Sequence, residues 1–139
     1  MAFIDWKESY ALGIKKIDEQ HHNLLETMNE LFKMFLEKEL TDDNFQEVFG
    51  KLSEYSHIHF QTEETYFVQA DYEKRSVHAA IHDQMRRQVT EIAARYEKPG
   101  TDRERLFFEL SEFLYNVWIW HINSFDREYV PCLKAHNIS

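Results

Sequence analysis

Glycine and proline are scarce, three and two in 139 residues, which is too few for the turn-rich connections of a β fold. Cysteine occurs once. Cys132 therefore excludes an intrachain disulfide and a cysteine-based zinc cluster, and it reads as a half-buried thiol near the C-terminus. No apolar run approaches the roughly 18 residues that a membrane-spanning helix needs. Asp5, Lys7 and Glu8 stand where the apolar part of a secretion signal would lie, so a cytoplasmic chain is expected. Basic residues are in deficit, 16 against 25 acidic ones, and the net charge of −9 repels nucleic acid and anionic membrane surfaces. Neither is expected as a partner. What the sequence does have is 43% hydrophobic residues, 15% of all residues being aromatic, enough to fill one core and to exclude disorder. With Glu, Lys, Leu and Gln abundant, residues 1–139 read as a single all-α domain.

Residues 1–17, with Phe3, Ile4, Trp6 and Tyr10, show no sustained helical stripe and read as an arm that packs its aromatics on the domain. From Asp18, a plausible helix cap, Leu24, Leu25, Met28, Leu31, Phe32 and Phe35 recur at three-and-four spacing, the pattern of one helix face. A second stripe runs from Phe45 through Leu52, Ser56, His59 and Glu63 to Phe67, and its last third is unusually polar. A third runs from His78 to Tyr96, where Pro99-Gly100 stops it. Thr101 and Glu104 match a capping box, and the fourth stripe runs from Leu106 to Phe125, with Pro131 ending or kinking it. Short links between long amphipathic helices predict an up-down-up-down four-helix bundle.

Five of the eight histidines, His21, His59, His78, His82 and His121, fall on these apolar stripes, as does Glu63. A single core-facing histidine is more often hydrogen-bonded inside the protein than a ligand. The set behaves differently, because in such a bundle the starts of helices one and three and the ends of two and four share one end. His59 and Glu63, like His78 and His82, are spaced i, i+4 and project from one face. His121 and Asp126 are i, i+5, about 140° apart on an ideal helix, and both reach inward only if the helix widens into a π-type turn. Burying such a set is costly unless a metal ion holds it. Five nitrogens and two carboxylates exceed the needs of one ion, so two ions with bridging carboxylates are expected, iron suiting the mixed donors best and zinc or manganese less well. Ala79 and Ala80 rule out the H-E-x-x-H of metalloproteases. His22 and His57 are out of phase and, with His136, are expected to face solvent. The stripe aromatics Phe32, Phe35, Phe49, Phe107 and Phe113 read as core.

Four pieces of the sequence together resemble the hemerythrins, in particular their single-domain bacterial members. They are Asp18-Glu19-Gln20-His21 with Leu24; His59-Phe60-Gln61-Thr62-Glu63-Glu64; His78-x-x-x-His82; and His121-Ile122-x-x-x-Asp126. The resemblance spans nearly the whole chain. It implies a non-haem di-iron centre: one iron held by His78, His82 and His121, the other by His21 and His59 with an open position. Glu63 and Asp126 would bridge them, with a solvent-derived oxo or hydroxo group. Dioxygen would bind at the open iron inside a dry pocket, for which Leu24, Phe60, Trp118 and Ile122 are the candidates. The family pattern has Trp four residues before the helix-four histidine and a smaller aliphatic residue three before it, whereas this chain has Val117 and Trp118 at those positions.

The function expected from this resemblance is reversible dioxygen binding for storage or delivery, with no catalytic residue assigned. Two alternatives belong to other classes. One is an oxygen-sensing module read by a separate signalling partner, and the other a di-iron enzyme such as a peroxidase or nitric oxide reductase. An oxygen-consuming enzyme would be the natural partner of a carrier.

Overall fold

The approach to the first helix shows how local chemistry sets its start. Gly13 takes φ +82°, Ile14 is extended, and α1 (Lys15–Leu36) begins at the next residue, so Lys15 to Ile17 belong to the helix rather than to the arm. Asp18 does not cap α1 as expected. It lies in the first turn and reaches back, its carboxylate accepting from the amides of Leu12 (2.8 Å) and Gly13 (3.1 Å). There it also sits at the positive end of the helix dipole. The chain is described by a computed structural model that covers residues 4–139, apart from the side chains of Trp118 and Ile119.

α2 (Asp42–Gln69) is capped by the Thr41 hydroxyl, which accepts from the Asn44 amide, and α3 (Arg75–Glu97) ends just before Pro99-Gly100. α4 (Arg103–Asn116) is capped by Asp102, which accepts from the Arg105 amide at 3.1 Å. The expected Thr101–Glu104 box is not formed, because the Thr101 hydroxyl donates instead to the Arg95 carbonyl at 2.8 Å and ties the end of α3 to the link. Beyond α4 the chain continues as a π-helical segment, Val117–Phe125, and then as α5 (Asp126–Ala135). Asn116, Phe125 and Asp126 all keep right-handed helical dihedrals, so these three pieces form one unbroken rod. Pro131 does not end it. The ring removes one donor, but its fixed φ is compatible with a helix, and the rod runs on to Ala135.

Neighbouring rods are antiparallel. At one end Phe35, late in α1, stacks on Phe107, early in α4, at 3.9 Å between centroids, and Tyr96, late in α3, donates to Asp42 at the start of α2. At the other end the starts of α1 and α3 meet the end of α2 and the π segment. The result is an all-α four-helix bundle. Its core has a large apolar cluster around Met28, Leu31, Leu52, Leu110 and Leu114, and a smaller one around Ile17, Phe67, Tyr129 and Leu133. Phe49 and Phe107 are buried in the larger cluster, with Phe32, Phe35 and Phe113 packed partly exposed against it. The histidine-bearing turns lie between the two clusters. No helix among the described residues is long and apolar enough to cross a membrane.

The arm is tied down at several points. Ile4 exchanges two backbone-to-side-chain hydrogen bonds with Asn29, each 2.9 Å, and packs on Leu25 and Ile122. Trp6 stacks on His22 at 3.7 Å, and the Ser9 carbonyl accepts from Arg127 on α5.

Two glycine substitutions should therefore separate. In Gly13→Ala the new Cβ would stand 2.6 Å from the movable Lys134 ammonium, and the left-handed backbone costs about 1–2 kcal/mol for a residue with a Cβ. Thermal unfolding should drop by a few degrees. Gly50→Ala lies inside α2 with nothing within 4 Å of the added atom, and should gain about 0.5–1 kcal/mol of helix preference. Equal melting temperatures for the two variants would contradict both assignments.

Candidate metal centre

Each rod contributes polar side chains to one buried layer. His21 comes from the second turn of α1. His59 and Glu63 come from successive turns of α2, and His78 and His82 from the first two turns of α3. His121 lies in the π segment and Asp126 opens α5. The wide turn solves the spacing problem: the Asp126 amide donates to the His121 carbonyl five residues back, and the two side chains then share one face, with His121 Nε2 3.3 Å from Asp126 Oδ1. All seven residues are at most 5% exposed.

The two carboxylates link the imidazoles. Glu63 Oε1 lies 2.6 Å from His59 Nε2 and 3.7 Å from His82 Nε2, and Oε2 lies 3.5 Å from His78 Nε2. Asp126 Oδ2 lies 3.3 Å from His21 Nε2, and Oδ1 3.1 Å from His78 Nε2. His21 and His59 approach each other at 3.1 Å between Nε2 atoms. Two donor groups result, His21, His59, Glu63 and Asp126 in one and Glu63, His78, His82 and His121 in the other, with Glu63 common to both. Within each group the donor atoms lie within 4.8 Å of one another.

The charge balance shows what this layer demands. Burial pushes the Glu63 pKa up, but the charge and hydrogen bond of His59, with His78 and His82, hold it well below the usual carboxylate range. Asp126 is lowered too: burial and the Glu63 charge oppose ionisation, and His121, His21 and His78 outweigh them. Burial lowers His78, yet its hydrogen bonds to Asp126 and Glu63 lift it to about 9. His59 is raised, the Glu63 carboxylate overcoming the effect of burial. Burial drives His82 down to about 3 and lowers His121 as well. The layer therefore holds two buried carboxylates that draw protons onto His59 and His78, beside two imidazoles that burial keeps neutral, and the Nε2 atoms of His82 and His121 have no hydrogen bond. Carboxylates converging with imidazole nitrogens that have no partner fit metal cations, whose binding would displace the protons from His59 and His78.

A further ring of residues holds the donors in place. The Thr62 hydroxyl donates to the Ile58 carbonyl (2.9 Å) and accepts from Gln20 Nε2 (2.9 Å), which turns the Gln20 carbonyl oxygen toward His59 Nδ1 at 2.8 Å. His59 must then donate from Nδ1, leaving Nε2 to face the carboxylates. On the other side Glu64 Oε2 stands 3.7 Å from His82 Nδ1 and accepts from Arg86 at 3.0 Å, while Phe60 stacks on the His82 ring at 4.1 Å. Tyr129, fully buried, has its phenol held well above the ordinary value by burial and by the charges of Glu63 and Asp126. Gln20 and Glu64 stood inside the quoted motifs, but their partners lie on other helices. Nothing in the sequence singled out Tyr129.

Leu24, Phe60 and Ile122 line a cavity of about 220 Å³ that also meets His59 and His121. The side chain of Trp118, the fourth pocket candidate, lies outside the described residues. His22, His57 and His136 are exposed, and Cys132 is half-buried.

The family described as Hemerythrin HHE cation binding domain matches residues 12–133. The chain is also similar to proteins named bacteriohemerythrin. One from Clostridium acetobutylicum is 30% identical over 128 residues, 90% of this chain and 97% of that protein. One from Pseudomonas aeruginosa is 32% identical over 139 residues, all of this chain and 86% of that protein. A third, from Stenotrophomonas maltophilia, is 28% identical over 136 residues, 98% of this chain and 85% of that protein.

The Gln20 network makes a testable point. Gln20→Ala removes the acceptor that fixes the His59 ring, and loss of such a partner weakens metal retention about 10–100-fold. Gln20→Glu keeps an acceptor and should restore it. Competition with a chelator measures both, and an Ala variant that retains metal like the parent chain would show that the ring is held by packing alone.

Proposed function

The chain belongs to the hemerythrin family, and on that premise we propose that it binds dioxygen reversibly at a non-haem pair of iron ions, for oxygen storage or delivery. His78, His82 and His121 would hold one iron and His21 and His59 the other, with Glu63 and Asp126 shared between them. When bound, the iron pair supplies the two electrons that make dioxygen binding possible and reversible.

The observation that carries this reading is the buried layer itself: five imidazoles from four rods around two ionised carboxylates. A set with more neutral nitrogens than anionic oxygens leaves bound iron less strongly biased to its oxidised form, which favours binding over oxidation of a substrate. The remaining residues keep the layer in order. Gln20 orients His59, Tyr129 stays protonated beside the carboxylates, and Leu24 and Ile122 exclude water and anions from the donors.

Anaerobic iron loading should give two irons per chain and a nearly colourless reduced protein that becomes coloured in air and bleaches again when oxygen is removed. One metal per chain, or none, would end this reading. Glu63→Ala and Asp126→Ala should each prevent assembly of the pair, whereas His22→Ala and His57→Ala, at exposed positions, should leave the spectrum unchanged. Iron loading should also raise the melting temperature, since binding to the folded chain stabilises it; equal values with and without iron would argue against that coupling.

A further inference from the structure

The cavity beside the metal layer is larger than dioxygen requires. Its inner end is formed by His59 and His121, and its walls include buried Leu24, Met28, Met85 and Ile122. It reaches solvent between α2 and α3, where Ser53, Ser56, His57 and Thr90 form a polar rim. The volume is about 220 Å³, and an apolar cavity of about 150 Å³ stays dry and takes up benzene or xenon. Two atoms of dioxygen would leave most of this space unfilled, and unfilled core volume costs stability.

The mouth also discriminates by charge. Arg86 lines it, with its two terminal nitrogens paired, Nη1 with Asp83 at 2.6 Å and Nη2 with Glu64 at 3.0 Å, while Nε is buried without a hydrogen bond and the guanidinium rests 5.1 Å over the Phe60 ring. Two carboxylates against one guanidinium leave the mouth with an excess of negative charge, which opposes the approach of an anion. A neutral apolar molecule is not opposed by that charge, and inside it meets thioethers and aliphatic side chains, which adapt to irregular shapes.

We propose that this cavity is a binding site for a small neutral apolar molecule about the size of benzene, held against His59 and His121 in addition to any ligand of the metal layer. Its occupant would stand in the path between the α2–α3 surface and the donors, so that guest and exogenous metal ligand compete for access.

Benzene itself is the probe. In protein labelled at the methionine methyl carbons, iron-loaded and metal-free, the Met28 and Met85 resonances should shift and saturate as benzene is added, while Met34, outside the cavity lining, stays in place. Val89→Phe, which fills the cavity from the α3 wall, should abolish the shifts; Leu52→Phe does the same from α2 if the first variant does not fold. In the iron-loaded chain, saturating benzene should slow the binding of azide. No saturable shift up to the solubility limit of benzene, equal shifts at Met34, or shifts that persist in the filled variants would each overturn the site. The outcome is independent of the dioxygen reading. A chain that takes up benzene but never develops the oxygen-dependent colour refutes that reading and leaves the cavity site standing, and the reverse result removes only the cavity site.

Discussion

Two carboxylates buried without solvent, Glu63 and Asp126, are the constraint around which the bundle is arranged. An isolated charge in such a place is far too costly to keep, so every rod must bring a compensating group to the same layer. α1 brings His21, α2 His59, α3 His78 and His82, and the fourth rod His121. Antiparallel packing makes that convergence possible, because it places the starts of α1 and α3 beside the ends of the other two. The apolar clusters on either side then keep the layer dry. Dryness strengthens each electrostatic contact within it, and it makes a missing partner correspondingly expensive.

The fourth rod shows how far the backbone bends to this requirement. An ideal α-helix would carry His121 and Asp126 to different faces. The π segment from Val117 to Phe125 widens the turn, and the Asp126 amide closes the five-residue loop onto the His121 carbonyl. Below it Tyr129 and Leu133 return to ordinary helical phase and fill the smaller cluster. A local departure from the preferred helix is thus held by contacts on both sides, as is usual where such a segment serves a site.

Much of this was legible in the sequence because it is periodic. Polar residues on apolar stripes are visible without coordinates, and the i, i+4 pairs His59–Glu63 and His78–His82 announce their common face. The i, i+5 pair was legible as a demand for a wider turn. What was not legible depends on contacts between rods or on choices between equivalent neighbours. Thr101 and Asp102 are both good caps, and the Arg95 carbonyl, a tertiary partner, decides between them. Asp18 had the chemistry of a cap, but the left-handed Gly13 moved the helix start upstream and left the carboxylate to bind the incoming loop. Gln20 sits next to His21 in sequence and acts on His59 from another helix.

The partners behind the histidines also divide the layer. Behind His59 stands a neutral amide whose direction is fixed through Thr62, while the charge that the ring meets, Glu63 at 2.6 Å, lies on its Nε2 side. His82 instead faces Glu64, a carboxylate whose charge is balanced by Arg86, and its ring is clamped by Phe60. At 3.7 Å the His82 Nδ1 makes no hydrogen bond to that carboxylate, so packing holds its ring, whereas the amide behind His59 orients the ring and fixes its tautomer. One ring is therefore positioned by a hydrogen bond from behind and the other by an aromatic face. The cavity touches His59 and His121, one from each donor group, while Phe60 stands between it and His82, so small molecules reach both groups of donors but not the ring that the phenyl face covers.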